Sequence, residues 1–202
     1  MSYKTENWFV SLYNFIDEVR REFNPPKRVI FHDITLRDGE QQAGIIFRKD
    51  EKIEIARLLD EVGVQRIEAG MPAVSPEDME AIKAIVKEGL NAKIFCFARC
   101  MKRDVDLAVE CGVDGVVMEI PSSDHLIKYA YGWPIEKAIN LSVEATEYAH
   151  EHGLHVAFFT IDSTRGFGLQ RLTKAFVGLP SPSRPLAPLS GLFGVVIGGL
   201  WG

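Results

Sequence analysis

From residue 28 onward, short apolar runs rich in β-branched and aromatic residues alternate with longer amphipathic stretches. The runs fall at Arg28–Ile34, Val64–Glu68, Ala92–Phe97, Gly115–Ile120 and Leu154–Ile161, and each predicts a strand. Between them Lys49–Val62, Pro76–Glu88, Lys102–Cys111 and Ile135–His152 space their apolar positions at helical intervals. Ser75-Pro76-Glu77-Asp78 supplies an N-cap, a proline at the first helical position and acids in the first turn. Gly63, Gly89, Gly112 and Gly153 follow the four helices where a left-handed residue closes the last turn. Strands alternating with helices at this spacing predict right-handed βαβ units and a parallel sheet.

Two architectures accommodate five such strands. A doubly wound open sheet would be complete at about this length. A (β/α)8 barrel takes roughly 250 residues, so the chain would hold its first five units. Where a nucleotide-binding open sheet carries a glycine-rich loop after its first strand, this sequence has Arg37-Asp38-Gly39-Glu40-Gln41.

Ahead of the first strand, Trp8, Phe9, Leu12, Phe15, Ile16, Val19 and Phe23 recur at helical spacing, and Pro25-Pro26 ends the run. Residues 1–27 are therefore expected to form an amphipathic helix with an aromatic face, docked on its own domain or on a second copy. The first residues lack the basic-then-apolar pattern of a signal peptide, so export is not expected and the localisation is read as cytoplasmic.

Charge divides the chain at Gly166. All 28 acidic residues precede it, whereas residues 166–202 carry only Arg171, Lys174 and Arg184, with 8 of the 17 glycines and 4 of the 10 prolines. The uncharged run Pro185–Gly202 is too rich in Gly and Pro to read as a membrane span. The tail is expected to lie outside the fold, as a segment foreign to the domain before it, such as out-of-frame or intron-derived translation. A net charge of −5 argues against nucleic acid as a partner. Cys96, Cys100 and Cys111 show no zinc spacing and read as reduced thiols.

In either architecture functional groups collect at the carboxyl ends of the strands. Those ends carry Asp33, Thr35, Arg37, Asp38 and Gln41; then Glu68 and Gly70; then Arg99; then Glu119, Ser122 and Ser123; then Thr160, Asp162, Ser163, Thr164 and Arg165. Each alone could be a salt bridge or a helix cap. Acids and arginines converging on one face suit a hard divalent cation and an anionic, oxygen-rich substrate.

Phe31-His32-Asp33-Ile34-Thr35-Leu36-Arg37-Asp38-Gly39-Glu40-Gln41 resembles the D-x-T-L-R-D-G-x-Q signature of the metal-dependent Claisen-condensing barrels. That family includes the 2-isopropylmalate, homocitrate and citramalate synthases, with 3-hydroxy-3-methylglutaryl-CoA lyase as a cousin that cleaves. Ile67-Glu68-Ala69-Gly70-Met71-Pro72-Ala73 resembles the I-E-A-G-x-P of the second strand, and the likeness runs through Arg99-Cys100, Gly112–Gly115, Ser122-Ser123 and Phe158–Arg165, about residues 28–165. The resemblance implies the barrel, and an acyltransferase that condenses acetyl-CoA with a 2-oxo acid at a magnesium, manganese or zinc ion, in the full-length family as a homodimer. It implies Asp38 as metal ligand and Arg37 as the catalytic group facing the oxygen that gains charge. It also implies Gln41, Glu68, Arg99, Thr160 and Asp162 as substrate-binding residues. No residue is assigned as the base that takes the methyl proton.

Three departures qualify the likeness. The family's remaining metal ligands are a His-x-His pair on a seventh strand. The only such spacing here, His150-Glu151-His152, falls at the wrong end of the barrel, before strand five, with His155 beside it. Ile161 stands where the synthases carry a glutamate, and Met101 where homocitrate synthases carry a histidine. The chain is therefore expected to be nearly inactive alone. Lyase-type cleavage, a non-catalytic half-barrel that associates with a partner, and a complete open-sheet domain with another ligand are the alternatives.

Overall fold

A computed structural model describes residues 4–7, 9–21, 27–162 and 165. The residues from 166 onward, expected to fall outside the fold, lie outside the described residues, as do Trp8, Phe23, Pro25, Pro26, Ser163 and Thr164.

The N-terminal segment departs from the continuous helix its spacing predicts. A 3-10 turn, Leu12–Phe15, is followed by a single α-helical turn, α1 (Asp17–Arg20), and Ile16 between them is extended. Phe9, Leu12, Tyr13, Phe15, Ile16 and Val19 are exposed. A short helix gains most of its stability from packing an apolar face. Among the described residues the segment is held locally, the Ser11 Oγ accepting the Tyr13 amide at 3.3 Å.

The remainder is a strand–helix alternation: β1 (His32–Asp33), α2 (Lys49–Val62), β2 (Arg66–Glu68), α3 (Pro76–Lys87), β3 (Lys93–Arg99), α4 (Lys102–Cys111), β4 (Gly115–Pro121), α5 (Asp124–Tyr129), α6 (Ile135–Glu151) and β5 (His155–Ile161). The five strands form one sheet in the order β1-β2-β3-β4-β5, and every neighbouring pair is parallel. Sequential order without a reversal is the winding of a closed barrel, whereas a doubly wound open sheet reverses its strand order. The sheet is the first five strands of a (β/α)8 barrel, and the open-sheet alternative falls.

Strand alternation divides the apolar side chains between two faces. Ile67, Ile94, Cys96, Ala98, Val116, Met118 and Ile120 meet Ala56, Ile82, Ile85, Val105 and Ala149 in the main core, which lies between sheet and helices. Phe95, Phe97 and Val117 point the other way and pack with Met71, Ala157 and Phe159 on the barrel's inner side. β3 is buried on both faces, which explains why Ile94–Ala98 reads as an unbroken apolar run. Burying a Phe or Ile of this kind stabilises the fold by roughly 1.5–3 kcal/mol.

Local chemistry sets the element limits. Ser75 Oγ accepts the Asp78 amide at 3.0 Å and starts α3, while the Arg48 amide donates to Glu51 Oε2 at 2.8 Å and starts α2. Asp114 Oδ2 accepts the Ile94 amide at 2.9 Å and Asp60 Oδ1 the Ala92 amide at 2.7 Å, pinning the amino end of β3. Gly115 is required by close approach: a Cβ there would lie 2.5 Å from both the His155 carbonyl oxygen and Phe95 Cε1. β1 is shorter than the apolar run predicts. The Phe31 amide is taken by Gln65 Oε1 at 2.7 Å, and Val29, Ile30 and Phe31 are exposed. No helix among the described residues is long and apolar enough to cross a membrane.

Candidate active site

At the carboxyl end of β1 the chain turns sharply. The Ile34 carbonyl accepts the amides of Arg37 (3.1 Å), Asp38 (2.8 Å) and Gly39 (3.3 Å), and a 3-10 turn follows at Gly39–Gln41. Leu36 is fully buried beneath this turn. Its burial orients the neighbouring Arg37 inward over the inner face, where the guanidinium lies 5.0 Å from the centre of the Phe97 ring.

Arg37 has two acidic partners. Its Nε donates to Glu68 Oε1 at 2.5 Å and its Nη1 to Asp38 Oδ1 at 2.6 Å. Glu68, last residue of β2, has a side chain only 1% exposed, whereas that of Asp38 is 51% exposed. A buried carboxylate needs a compensating cation and hydrogen bond, and Arg37 supplies both. His32, in β1, brings Nε2 to 3.5 Å from Glu68 Oε2 and sets its ring edge-on to Phe95. That Nε2 is buried without a hydrogen-bond partner. Glu119 of β4 completes the acidic lining. Burial raises its carboxyl pKa, Arg37 opposes the rise, and Glu68 and Asp38 add to it.

Arg99, at the end of β3, stands beside Glu119 in the strand register. Its guanidinium is committed to α4, with Nε 2.8 Å from Asp104 Oδ2 and Nη2 2.9 Å from Oδ1. Asp162 follows β5 at a φ of 60°, a left-handed position uncommon for a residue with a side chain. Its carboxylate accepts from Ser123 Oγ and from Arg165 Nε, each at 2.6 Å. The Ser123 bond first and Arg165 second hold its pKa below the ordinary value. Gln41 is exposed at the end of the 3-10 turn.

The structure thus brings Arg37 into direct contact with Asp38 and Glu68 and places Arg99 at the end of β3 and Asp162 after β5, each with its own ion-pair partner. Thr160 departs from the expected place on the mouth wall. It keeps the phase of Val156 and Phe158, which pack on the helix-side core, while Ala157 and Phe159 face inward. The next inward position belongs to Ile161.

The His-x-His spacing is the decoy the sequence suggests. His150 lies in the last turn of α6, and His152 Nδ1 lies 2.8 Å from the Tyr148 carbonyl oxygen, at the helix terminus opposite the mouth. Among the described residues no three His, Cys, Asp or Glu side chains converge as a metal-binding group. Among the described residues the half-exposed carboxylate of Asp38, beside Arg37, is the donor open to a divalent cation. One carboxylate leaves most of the coordination sphere of such an ion to substrate oxygens, water or donors outside the described residues.

Sequence reasoning passed over two contributors to this region. His32 could have been found from its inward phase in β1. Lys52 could have been found from its place one turn before the buried Ala56 in α2. Its side chain is 3% exposed, with Nζ 2.6 Å from Glu40 Oε2 and 2.6 Å from Asp78 Oδ1. Burial lowers the Lys52 pKa, but hydrogen bonds to Asp78 and Glu40 outweigh it and the net shift is upward.

An arginine clamped between two carboxylates at the carboxyl ends of sequential parallel strands defines the active-site end of a (β/α)8 barrel. The HMGL-like family pattern matches residues 28–176, and the chain belongs to that family. The match passes Arg165 and enters the segment that composition had set apart, so the family's sequence reaches further than the motifs indicated. The homocitrate synthase AksA of Methanopyrus kandleri is 46% identical over 151 residues, 75% of this chain and 38% of that protein. A probable 2-isopropylmalate synthase of Ignicoccus hospitalis is 49% identical over 142 residues, 70% of this chain and 36% of that protein. The chain thus spans a little over a third of the length of these relatives. HMG-CoA lyase of Bacillus subtilis shares the fold at a TM-score of 0.62 and 17% identity, covering 75% of this chain and 55% of that one.

Proposed function

We propose that this chain supplies the substrate-gripping portion of an acyltransferase that condenses acetyl-CoA with a 2-oxo acid at a divalent cation. The observation that carries the reading is Arg37, held over Phe97 by Glu68 and Asp38 at the barrel mouth. A guanidinium fixed before substrate arrives can stabilise the oxygen that gains charge during carbonyl addition, with little reorganisation at the moment of reaction. Glu68 holds that guanidinium in place from beneath. Asp38, half exposed beside it, is the ligand this chain would give to a magnesium, manganese or zinc ion, which when bound would polarise the keto group. Gln41, after β1, and Arg99, at the end of β3, are the donors this chain would offer to the carboxylates of the oxo acid, and Asp162, after β5, would offer an acceptor to a substrate hydroxyl or amide. Thr160 would contribute through the strand end that carries Asp162.

Relatives named for homocitrate and for 2-isopropylmalate synthesis support condensation over cleavage. Three free, buried cysteines support a reducing compartment such as the cytoplasm. The exposed aromatic and aliphatic side chains of the N-terminal segment suit burial against a second copy in a homodimer.

The 202-residue chain is expected to bind an oxo acid weakly and to turn over almost none. The test pairs a thiol-release assay, using acetyl-CoA with pyruvate, 2-oxoisovalerate or 2-oxoglutarate, with 1H–15N spectra recorded as each of the three oxo acids is added with magnesium. Movement of the Arg37 Nε–H resonance with negligible turnover supports the reading. A resonance indifferent to all three oxo acids sinks it, and rapid turnover would show that one carboxylate suffices.

A further inference from the structure

Lys52 lies in the first turn of α2, outside the group of residues that line the mouth, yet it joins the segments that build that mouth. Glu40, one of its partners, sits three residues after Arg37 in the turn following β1. Its Oε2 receives the Lys52 ammonium at 2.6 Å, while its Oε1 accepts the Phe47 amide at 2.9 Å. Asp78, the other partner, belongs to the first turn of α3. Its Oδ1 receives Lys52 at 2.6 Å, and its Oδ2 accepts from Ser75 Oγ at 3.1 Å. Both carboxylates are therefore directed by a second bond, and neither can follow the ammonium freely. The ammonium also approaches the loop after Glu68, since a Cβ on Gly70 would lie 3.9 Å from Nζ.

An ammonium this buried is costly unless its bonds are well aligned. A lysine serving only to fill space would be replaced without loss by an apolar side chain. Here the charge ties the turn that presents Arg37 and Asp38 to the first turn of α3, the helix reached by the loop after Glu68.

We infer that Lys52 is a positioning residue: through Glu40 it fixes the turn that presents Arg37 and Asp38, and through Asp78 it locks that turn to the strand-two side of the mouth. The inference rests on the function proposed above, but its main test does not require that function.

Amide hydrogen exchange on the 202-residue chain is compared among the unsubstituted protein, Lys52→Met, Lys52→Arg and Glu40→Gln. In Lys52→Met the amides of Asp38, Gly39 and Phe47 are expected to exchange roughly tenfold faster, while those of Phe97 and Val117 in the sheet change less than about twofold. Glu40→Gln should reproduce the effect, and Lys52→Arg should restore most of the protection because it keeps the cation. Sheet and turn amides accelerating together, an unchanged turn, or an arginine variant no better than methionine would each overturn the inference. A second measurement follows the Arg37 Nε–H resonance during addition of whichever of the three oxo acids moves it furthest in the unsubstituted chain. Its midpoint should rise roughly fivefold in Lys52→Met and recover in Lys52→Arg. An unchanged midpoint beside a loosened turn also overturns the inference. Should none of the three oxo acids move the resonance even in the unsubstituted chain, the proposed function falls, and the exchange rates alone decide the role of Lys52.

Discussion

Arg37 and Glu68 stand 31 positions apart in sequence and meet at 2.5 Å, the guanidinium 14% exposed and the carboxylate 1%. The contact joins the turn after β1 to the last residue of β2, so one ion pair records that the first two strands are parallel neighbours. Removing one member leaves the other charge in a poorly hydrated place, a change that typically costs about 3–5 kcal/mol. Glu68→Ala is expected at the lower end of that range, because Asp38 still pairs with Arg37. Urea unfolding should give this loss, and Arg37→Met combined with Glu68→Met should cost less than the two single changes added together.

Much of this arrangement is legible in the sequence because its causes are local. The limits of α2 and α4 coincide with those predicted, since apolar spacing sets the bodies of these helices and Gly63 and Gly112 close them at φ 90° and 74°. The short α5 went unpredicted: six residues carry too little periodicity, although Ser123 caps its start. β1 was over-read because the glutamine that takes the Phe31 amide lies in the loop before β2. The charged Lys52 reads as surface until its two distant acids are seen around it. Arg37 and Asp38 after β1 and Glu68 at the end of β2 are placed on one side of the sheet by strand direction alone, whereas the inward or outward phase of Thr160 depends on where β5 pairs with β4.

Arg99 shows how a candidate substrate-binding group can be held by its own scaffold. Asp104, buried in the first turn of α4, accepts both guanidinium bonds and also the Arg99 amide at 3.1 Å. Replacing it with alanine leaves a backbone donor and a half-exposed cation without their acceptor, and is expected to cost about 2 kcal/mol. Denaturant titration gives the stability loss. The 1H–15N spectrum should show the Arg99 Nε–H resonance shifting to a solvent-exposed position.

Ser123 has two duties at the end of β4. Its Oγ accepts the Leu126 amide at 3.2 Å as the N-cap of α5 and donates to Asp162 at 2.6 Å. Loss of the cap in Ser123→Ala is expected to cost about 1 kcal/mol at neutral pH. Asp162 is held below its ordinary pKa of 3.8 by this bond and by Arg165. Its carboxylate therefore favours the fold above pH 3.8, and that contribution disappears as pH falls through its lower folded value. The stability difference between Ser123→Ala and the parent should stay level from pH 7 to about pH 5 and then narrow in acid, leaving the part due to the cap. A difference that widens as pH falls would mean that the serine does not stabilise the ionised carboxylate.

Glu119 titrates in the opposite sense. It lies in β4 between the inward-facing Val117 and the strand end, half-buried and close enough to Glu68 and Asp38 to feel both charges. Burial raises its pKa above 4.5, the neighbouring acids raise it further, and Arg37 only partly offsets them. The folded protein therefore binds a proton at Glu119 more tightly than the unfolded chain does. Between pH 4.5 and that raised folded value, stability attributable to Glu119 falls as pH increases, and above it the ionised carboxylate remains a net burden on the fold. Glu119→Gln keeps the shape and removes the charge, so thermal unfolding at pH 7 should occur at a higher temperature than in the parent. The advantage should shrink as pH is lowered toward 4.5. A lower unfolding temperature at pH 7 would show that the pairing of Glu119 with Arg37 outweighs its burial, and would place the carboxylate among the groups that hold the guanidinium in position.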